Sequence, residues 1–169
     1  MSRLPEPGPL TRAYRDHDHA HCVKNALNTA REVCSRNGAR FTRLREQVFT
    51  LIWSSHRPIG AYTILELLLE NDPGARRPAP PTVYRALDFL LEQGLVHRIN
   101  SLNAYIGCSH PGMTHHSQFL ICKDCATTVE MYSQVSASLT EQAAAAEFQV
   151  ERVLVEVTGL CPNCADQVH

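Results

Sequence analysis

Pro80-Pro-Thr-Val-Tyr-Arg-Ala-Leu-Asp-Phe-Leu-Leu-Glu-Gln-Gly94, followed by Leu95-Val-His-Arg-Ile99 and Asn103-Ala-Tyr-Ile-Gly107, is the stretch whose reading decides the fold. Proline suits the first turn of a helix and glycine its stop, so a helix is expected to start just after Pro80-Pro81 and to end at Gly94. Val83, Ala86, Leu87, Leu90 and Leu91 recur at helical spacing and make its inward stripe. Thr82, Arg85, Asp88 and Glu92 lie largely outward, and Tyr84 borders the two. The two runs that follow flank a short turn at Ser101-Leu102 and read as a β-hairpin.

Upstream, the same periodicity predicts three more helices. Cys22, Val23, Ala26, Leu27, Ala30 and Val33 mark the first, from about Asp18 to a stop at Asn37-Gly38. The second opens at Thr42, carries Leu44, Val48, Leu51 and Ile52, and stops before Arg57-Pro58. The third runs from about Gly60 to Glu70, and residues 71–81 form a loop rich in Pro, Gly and Arg. Three helices, then a helix and a two-stranded ribbon, is the plan of a winged helix-turn-helix over residues 17–109. Residues 1–16 read as a disordered tail.

Residues 110–169 read as a small α/β domain, so the fold class is α+β. Gln118–Ile121 and Thr127–Met131 are expected to be short strands around a cysteine turn, Ser133–Glu147 an alanine-rich helix, and Phe148–Thr158 a third strand. The domain boundary falls near Ser109-His-Pro-Gly112.

Composition narrows the function classes. No run of about 18 apolar residues exists, which excludes a transmembrane helix. Met1–Ala13 carries three prolines and no apolar block, which does not read as a secretory signal, so a cytoplasmic protein is expected. The net charge is −1, but residues 1–100 hold 14 Lys/Arg against 10 Asp/Glu, and residues 101–169 hold 2 against 7. Only the front half suits a polyanion. Thr82, Tyr84 and Arg85 stand in the first turn of the fourth helix, where a recognition helix meets base edges and phosphates. Arg40, Arg43, Arg45, Arg76 and Arg77 could add phosphate contacts.

Seven cysteines in such a chain read as metal ligands or redox groups before they read as a disulfide frame. Cys122-Lys-Asp-Cys125 and Cys161-Pro-Asn-Cys164 each allow a tight turn that aims two sulfurs at one point. Two pairs complete a tetrahedral four-cysteine zinc site. A thioredoxin-like dithiol is the competing reading, disfavoured by two pairs and no β-α-β opening. Cys34 is expected to pack as a small apolar residue.

A second constellation is mixed. His97 and Cys108 sit on opposite strands of the first hairpin, and His115 and Glu130 on either side of the second. One metal could bridge the two pairs. A thiolate and a carboxylate would cancel the charge of Zn²⁺ with two neutral imidazoles completing the shell, and the thiolate favours Zn²⁺ over Fe²⁺ or Mn²⁺. His17, His19, His21 and Cys22 make a third cluster, read first as a solvated helix start.

Taken together, Pro80-Pro-Thr-Val-Tyr-Arg-Ala-Leu, Gly94-Leu-Val-His97, Tyr105-Ile-Gly-Cys108, His115 and the two C-x-x-C pairs resemble the ferric uptake regulator family, in its zinc-sensing branch, over about residues 20–165. The resemblance implies a homodimer with a winged-helix N-domain and an α/β dimerisation C-domain, and no enzymatic activity. It implies a transcriptional repressor of zinc-uptake genes that binds double-stranded operator DNA when zinc is loaded. It implies two Zn²⁺ per chain: structural zinc on Cys122, Cys125, Cys161 and Cys164, and regulatory zinc on His97, Cys108, His115 and Glu130. Tyr62 and Arg85 match positions that contact DNA in this branch. An iron, manganese or peroxide sensor on the same scaffold is the alternative within the family.

The sequence also departs from the family. Thr42-Arg-Leu-Arg45 replaces the usual Thr-Pro-Gln-Arg, the loop before Pro80 is longer, and the histidine-rich start lies outside the common pattern. The Cys108–His115 stretch is short, so His116 competes with His115 as a ligand.

Overall fold

The computed structural model describes residues 13–14, 18–71, 78–113, 115–131 and 135–167. The chain divides into two compact units, residues 18–113 and residues 114–169, with the segment before residue 18 belonging to the second.

In the N-terminal unit the helices are α1 (His19–Arg36), α2 (Arg43–Ile52), α3 (Ala61–Asn71) and α4 (Pro80–Glu92), followed by β1 (Val96–Ile99) and β2 (Ala104–Gly107). Asp18 caps α1: its side chain accepts from the His21 N–H at 3.2 Å, which satisfies one of the orphan donors of the first turn. Gly94 stops α4 in the left-handed region at φ +64°, with the Leu95 N–H returning to the Leu90 carbonyl at 2.9 Å. The helices close on one apolar core that includes Val33, Phe49, Ile52, Ile64, Val83, Leu87 and Leu90. Phe89 joins the buried face of α4 beyond the expected stripe, and Leu91 lies at its margin. The guanidinium of Arg45 stacks 3.5 Å above the Phe89 ring and donates to the Arg40 carbonyl. Arg45 remains half-buried there.

The hairpin pairs in antiparallel register, His97 opposite Ile106 and Arg98 opposite Tyr105. A third segment joins the hairpin from the α2–α3 connection, where Ile59 and Tyr105 exchange both backbone hydrogen bonds at 2.9 Å. The Trp53 ring lies against Gly107, where a β-carbon would come within 2.2 Å of it. Only glycine permits that approach.

The C-terminal unit holds β3 (Ser117–Cys122), β4 (Thr128–Met131), α5 (Val135–Ala145), β5 (Leu154–Gly159) and the short α6 (Pro162–Ala165). Strand order is β4-β3-β5, with β3 antiparallel to β4 and parallel to β5. A parallel neighbour needs a crossover, which α5 and the segment after it supply. Gln118 Nε2 donates to Ser136 Oγ at 2.8 Å, a buried polar tie from β3 to α5.

The expectation of one strand over Phe148–Thr158 is corrected: the strand begins at Leu154. Glu147 takes φ +57° and the Phe148 N–H bonds back to the Ala143 carbonyl at 2.9 Å. The alternating Phe148 and Val150 therefore belong to the helix stop and the connection, and Phe148 is 67% exposed. The helix expected over Ser133–Glu147 is α5, Val135–Ala145, and Ser133 lies outside the described residues.

Candidate metal centres and DNA-facing surface

The four-cysteine centre follows from the register of the C-terminal sheet. β3 ends on Cys122, and the chain turns through Lys123-Asp124-Cys125 with Ala126 at φ +59°. Cys122 stands opposite Gly159 of β5, and the Lys123 N–H donates to the Gly159 carbonyl at 2.8 Å. That parallel pairing delivers Cys161 beside the first turn, and α6, with Pro162 at its start, aims Cys164 back. The four sulfurs lie within 4.8 Å of one another, and Cys125 Sγ is 3.7 Å from Cys161 Sγ. A tetrahedron of sulfurs about 2.3 Å from zinc has edges of roughly 3.8 Å. The donor set and its spacing fit Zn²⁺.

The same geometry prepares the thiols to ionise unequally. Burial opposes the Cys122 thiolate, but the backbone N–H groups of Cys125, Cys161 and Asp124 outweigh it and bring its pKa down to about 6. The Thr127 hydroxyl, 3.2 Å from Cys125 Sγ, lowers Cys125 as well. Cys164 is pushed up to about 12, first by its hydrogen bond to Cys161 and then by burial. Burial also pushes Cys161 up. Sulfurs crowded without a cation cannot all be anionic together; a dication at their centre removes that penalty. Thr127 and Asn163 support this site, and the C-x-x-C spacing does not point to either.

Tyr14 is a further neighbour. Asn163 Nδ2 donates to its carbonyl at 3.0 Å, and Tyr14 lines a cavity of about 410 Å³ together with Cys122 and Cys161. Burial, then the neighbouring Cys161, Cys122 and Cys125, raises its hydroxyl pKa. The only available signal in the sequence was an isolated aromatic in a proline-rich, charged start.

In the N-terminal unit, Ile106 faces His97 across the hairpin, and Cys108 lies two residues on, a diagonal neighbour on the same face. Its ligand atom lies within 4.8 Å of that of His97. The Cys108 N–H donates to the Leu95 carbonyl at 3.0 Å, which extends the ladder past β2 and fixes the cysteine. In the C-terminal unit, His115 Nε2 is 2.7 Å from Glu130 Oε1, with Glu130 held on β4 opposite Phe119. It is His115, rather than the exposed His116, that meets this carboxylate.

The histidines at the start of α1 do not gather around one point. His19 Nε2 meets the Trp53 carbonyl at 2.7 Å, and its ring packs against His56 at 4.8 Å. His21 turns outward, where Asn25 Nδ2 donates to its Nε2 at 3.0 Å. Cys22 is half-buried, and His17 lies outside the described residues. Cys34 is buried on the inner face of α1, and burial raises its pKa.

Of the residues expected to face DNA, Tyr62 is 70% exposed on α3 and Tyr84 40% exposed on α4. Thr82 and Arg85, also in the first turn of α4, are exposed, as is Arg43 at the start of α2. Arg76 and Arg77 lie outside the described residues. No helix among the described residues is long and apolar enough to cross a membrane.

The chain is also similar to known proteins. A profile of the Ferric uptake regulator family matches residues 36–158. The zinc uptake regulation protein of Escherichia coli (strain K12) is 38% identical over 146 residues, covering 85% of this chain and 84% of that protein. Among solved structures, a zinc uptake regulator complexed with zinc and DNA is 36% identical, with a TM-score of 0.79 over 86% of this chain and 97% of that one. The crystal structure of holo XcZur is 39% identical, with a TM-score of 0.76 over 84% of this chain and 98% of that one.

Proposed function

The chain belongs to the Ferric uptake regulator family, and from that premise we propose that it is a zinc-responsive, DNA-binding transcriptional regulator. As a zinc-loaded homodimer in the cytoplasm it binds operator DNA and represses zinc-uptake genes. The observation that carries the metal choice is the thiol of Cys108 within ligand distance of His97. A soft thiolate beside an imidazole selects zinc over the harder iron and manganese ions.

In this reading Cys122, Cys125, Cys161 and Cys164 hold a structural zinc. His97, Cys108, His115 and Glu130 hold a regulatory one, and zinc supplies there a charge-neutral cross-link. The wing contributes His97 and Cys108, and the β3–β4 sheet contributes His115 and Glu130. Coordination by all four favours one arrangement of the two units. A dimer reads two half-sites only when its recognition helices keep the right spacing. Metal and DNA affinities then rise together by the same factor. Thr82, Tyr84 and Arg85 at the start of α4 read base edges, Tyr62 adds a contact from α3, and Arg43, Arg76 and Arg77 bind phosphates. The exposed Val135, Leu139, Phe148, Val157 and Leu160 of the C-terminal unit support dimerisation there.

Metal analysis with operator binding tests the proposal. The purified protein should carry about two zinc ions per chain. Cys108→Ser should keep fold, dimer and the four-cysteine zinc, yet lose zinc-stimulated operator binding at fixed salt. Operator binding that stays zinc-dependent in both Cys108→Ser and His97→Ala would place the regulatory site elsewhere.

A further inference from the structure

Trp53 is the single tryptophan of the chain, and the proposed function gives it no work. It ends α2, where its N–H bonds to the Phe49 carbonyl at 3.0 Å and its own carbonyl accepts from His19 Nε2 at 2.7 Å. Backbone ties on both sides thus fix where the side chain starts. The indole reaches the end of the wing. A β-carbon on Gly107 would meet indole Cε2, Nε1 and Cζ2 before any other atoms, each inside van der Waals contact. Gly107 does not take the left-handed conformation, so its missing side chain answers to the ring and not to the backbone. The indole Nε1 is buried there with no hydrogen-bond partner among the described residues. An orphaned donor disfavours burial, so the ring holds this place by packing alone.

We propose that Trp53 is a positioning residue for the regulatory zinc: its ring braces Gly107 and so sets the next residue, Cys108, beside His97. The inference rests on the reading of His97 and Cys108 as ligands of that zinc. β2 ends at Gly107, and Cys108 lies just past it. The Cys108 N–H is tied to the Leu95 carbonyl at 3.0 Å, which supports the ligand from the β1 side. Gly107 pairs with Val96, but glycine has the widest conformational freedom of any residue, and it stands directly before the ligand. The indole, arriving from the end of α2, takes up that freedom. A thiol held in place before the metal arrives binds it with less ordering to do. Trp53 can be altered without touching a ligand.

Cobalt(II) is titrated into the full-length protein with zinc retained on its four cysteines, checked by metal analysis. Thiolate-to-cobalt charge-transfer absorption then reads binding at Cys108. Trp53→Ala and Gly107→Ala, each folded by circular dichroism, should each weaken that binding about tenfold, the order of effect seen when the support of a metal ligand is removed. The double variant Trp53→Ala/Gly107→Ala should bind no more weakly than Trp53→Ala, because the added methyl meets no ring. Two independent losses would instead add in free energy. If Trp53→Ala does not fold, Trp53→Phe takes its place in the cycle, its smaller ring leaving room for the methyl. Wild-type cobalt affinity in either folded single variant overturns the proposal, and so do losses that add in the double variant. A cobalt band that never forms in the wild type, or that survives Cys108→Ser, overturns the regulatory-zinc reading along with it.

Discussion

The two units hold themselves together by different means. The N-terminal unit has a continuous apolar core, with Phe49, Ile52, Ile64, Leu87 and Leu90 almost wholly removed from water. In the C-terminal unit the buried apolar side chains among the described residues are Phe119, Ile121 and Val129, together with Cys122 and Cys161. Val135, Leu139, Phe148, Val157 and Leu160 remain exposed there. A unit this small buries too little apolar surface to offset its chain entropy and calls for a metal, an oligomer or both. Hydrophobic burial suffices for the first unit. The second is small enough that the zinc and the dimer proposed for it would supply what its apolar core does not.

The largest effect expected from this contrast is that of Cys125→Ser. A structural zinc contributes on the order of 10 kcal/mol of apparent folding free energy at neutral pH, more than a small unit possesses in total. The C-terminal unit should lose its cooperative thermal transition and the dimer should dissociate, while the N-terminal helices keep theirs. A Cys125→Ser protein that melts as a dimer at the wild-type temperature would break the comparison.

Phe49→Ala is the mirror experiment. Truncating a fully buried phenylalanine costs about 3–5 kcal/mol. The loss should appear in the N-terminal unit and abolish DNA binding, with the zinc of the four cysteines retained by metal analysis. Zinc loss in Phe49→Ala would mean that the two units are not independent in stability.

Asp18→Ala sharpens the same point at smaller scale. It removes the cap on the His21 N–H and should cost about 1 kcal/mol. For a unit of this size that is roughly a 4–8 °C drop in Tm. Calorimetry should show the drop in the N-terminal transition alone.

Most of the N-terminal unit was legible in the chain. Helix periods, Pro80-Pro81 and Gly94 act on their immediate neighbours, so their effect is written where they stand. The inward stripe of α4 was read correctly except for Phe89, which is buried beneath Arg45 because that cation stacks on it. The bridge between Ile59 and Tyr105 was not legible, since it pairs a loop with a strand far along the chain. In the second unit, alternation over Phe148–Val153 mimics a strand. A chain leaving α5 must first stop the helix and reverse before β5 can run parallel to β3.

The sequence by itself determined the local chemistry: two C-x-x-C turns, a thiol and an imidazole on a hairpin, a helix with Thr82, Tyr84 and Arg85 in its first turn. Each depends on residues a few positions apart, whose relative placement is set by backbone geometry. Only the tertiary structure decided which of these parts meet within each unit. The parallel register of Cys122 with Gly159 joins the cysteine pairs, the β3–β4 hairpin gives Glu130 to His115 and not to His116, and Gly107 admits the Trp53 ring beside Cys108. Tyr14 reaches the cysteine centre in the same way. These meetings depend on packing between segments far apart in the chain, where no local spacing records the partner.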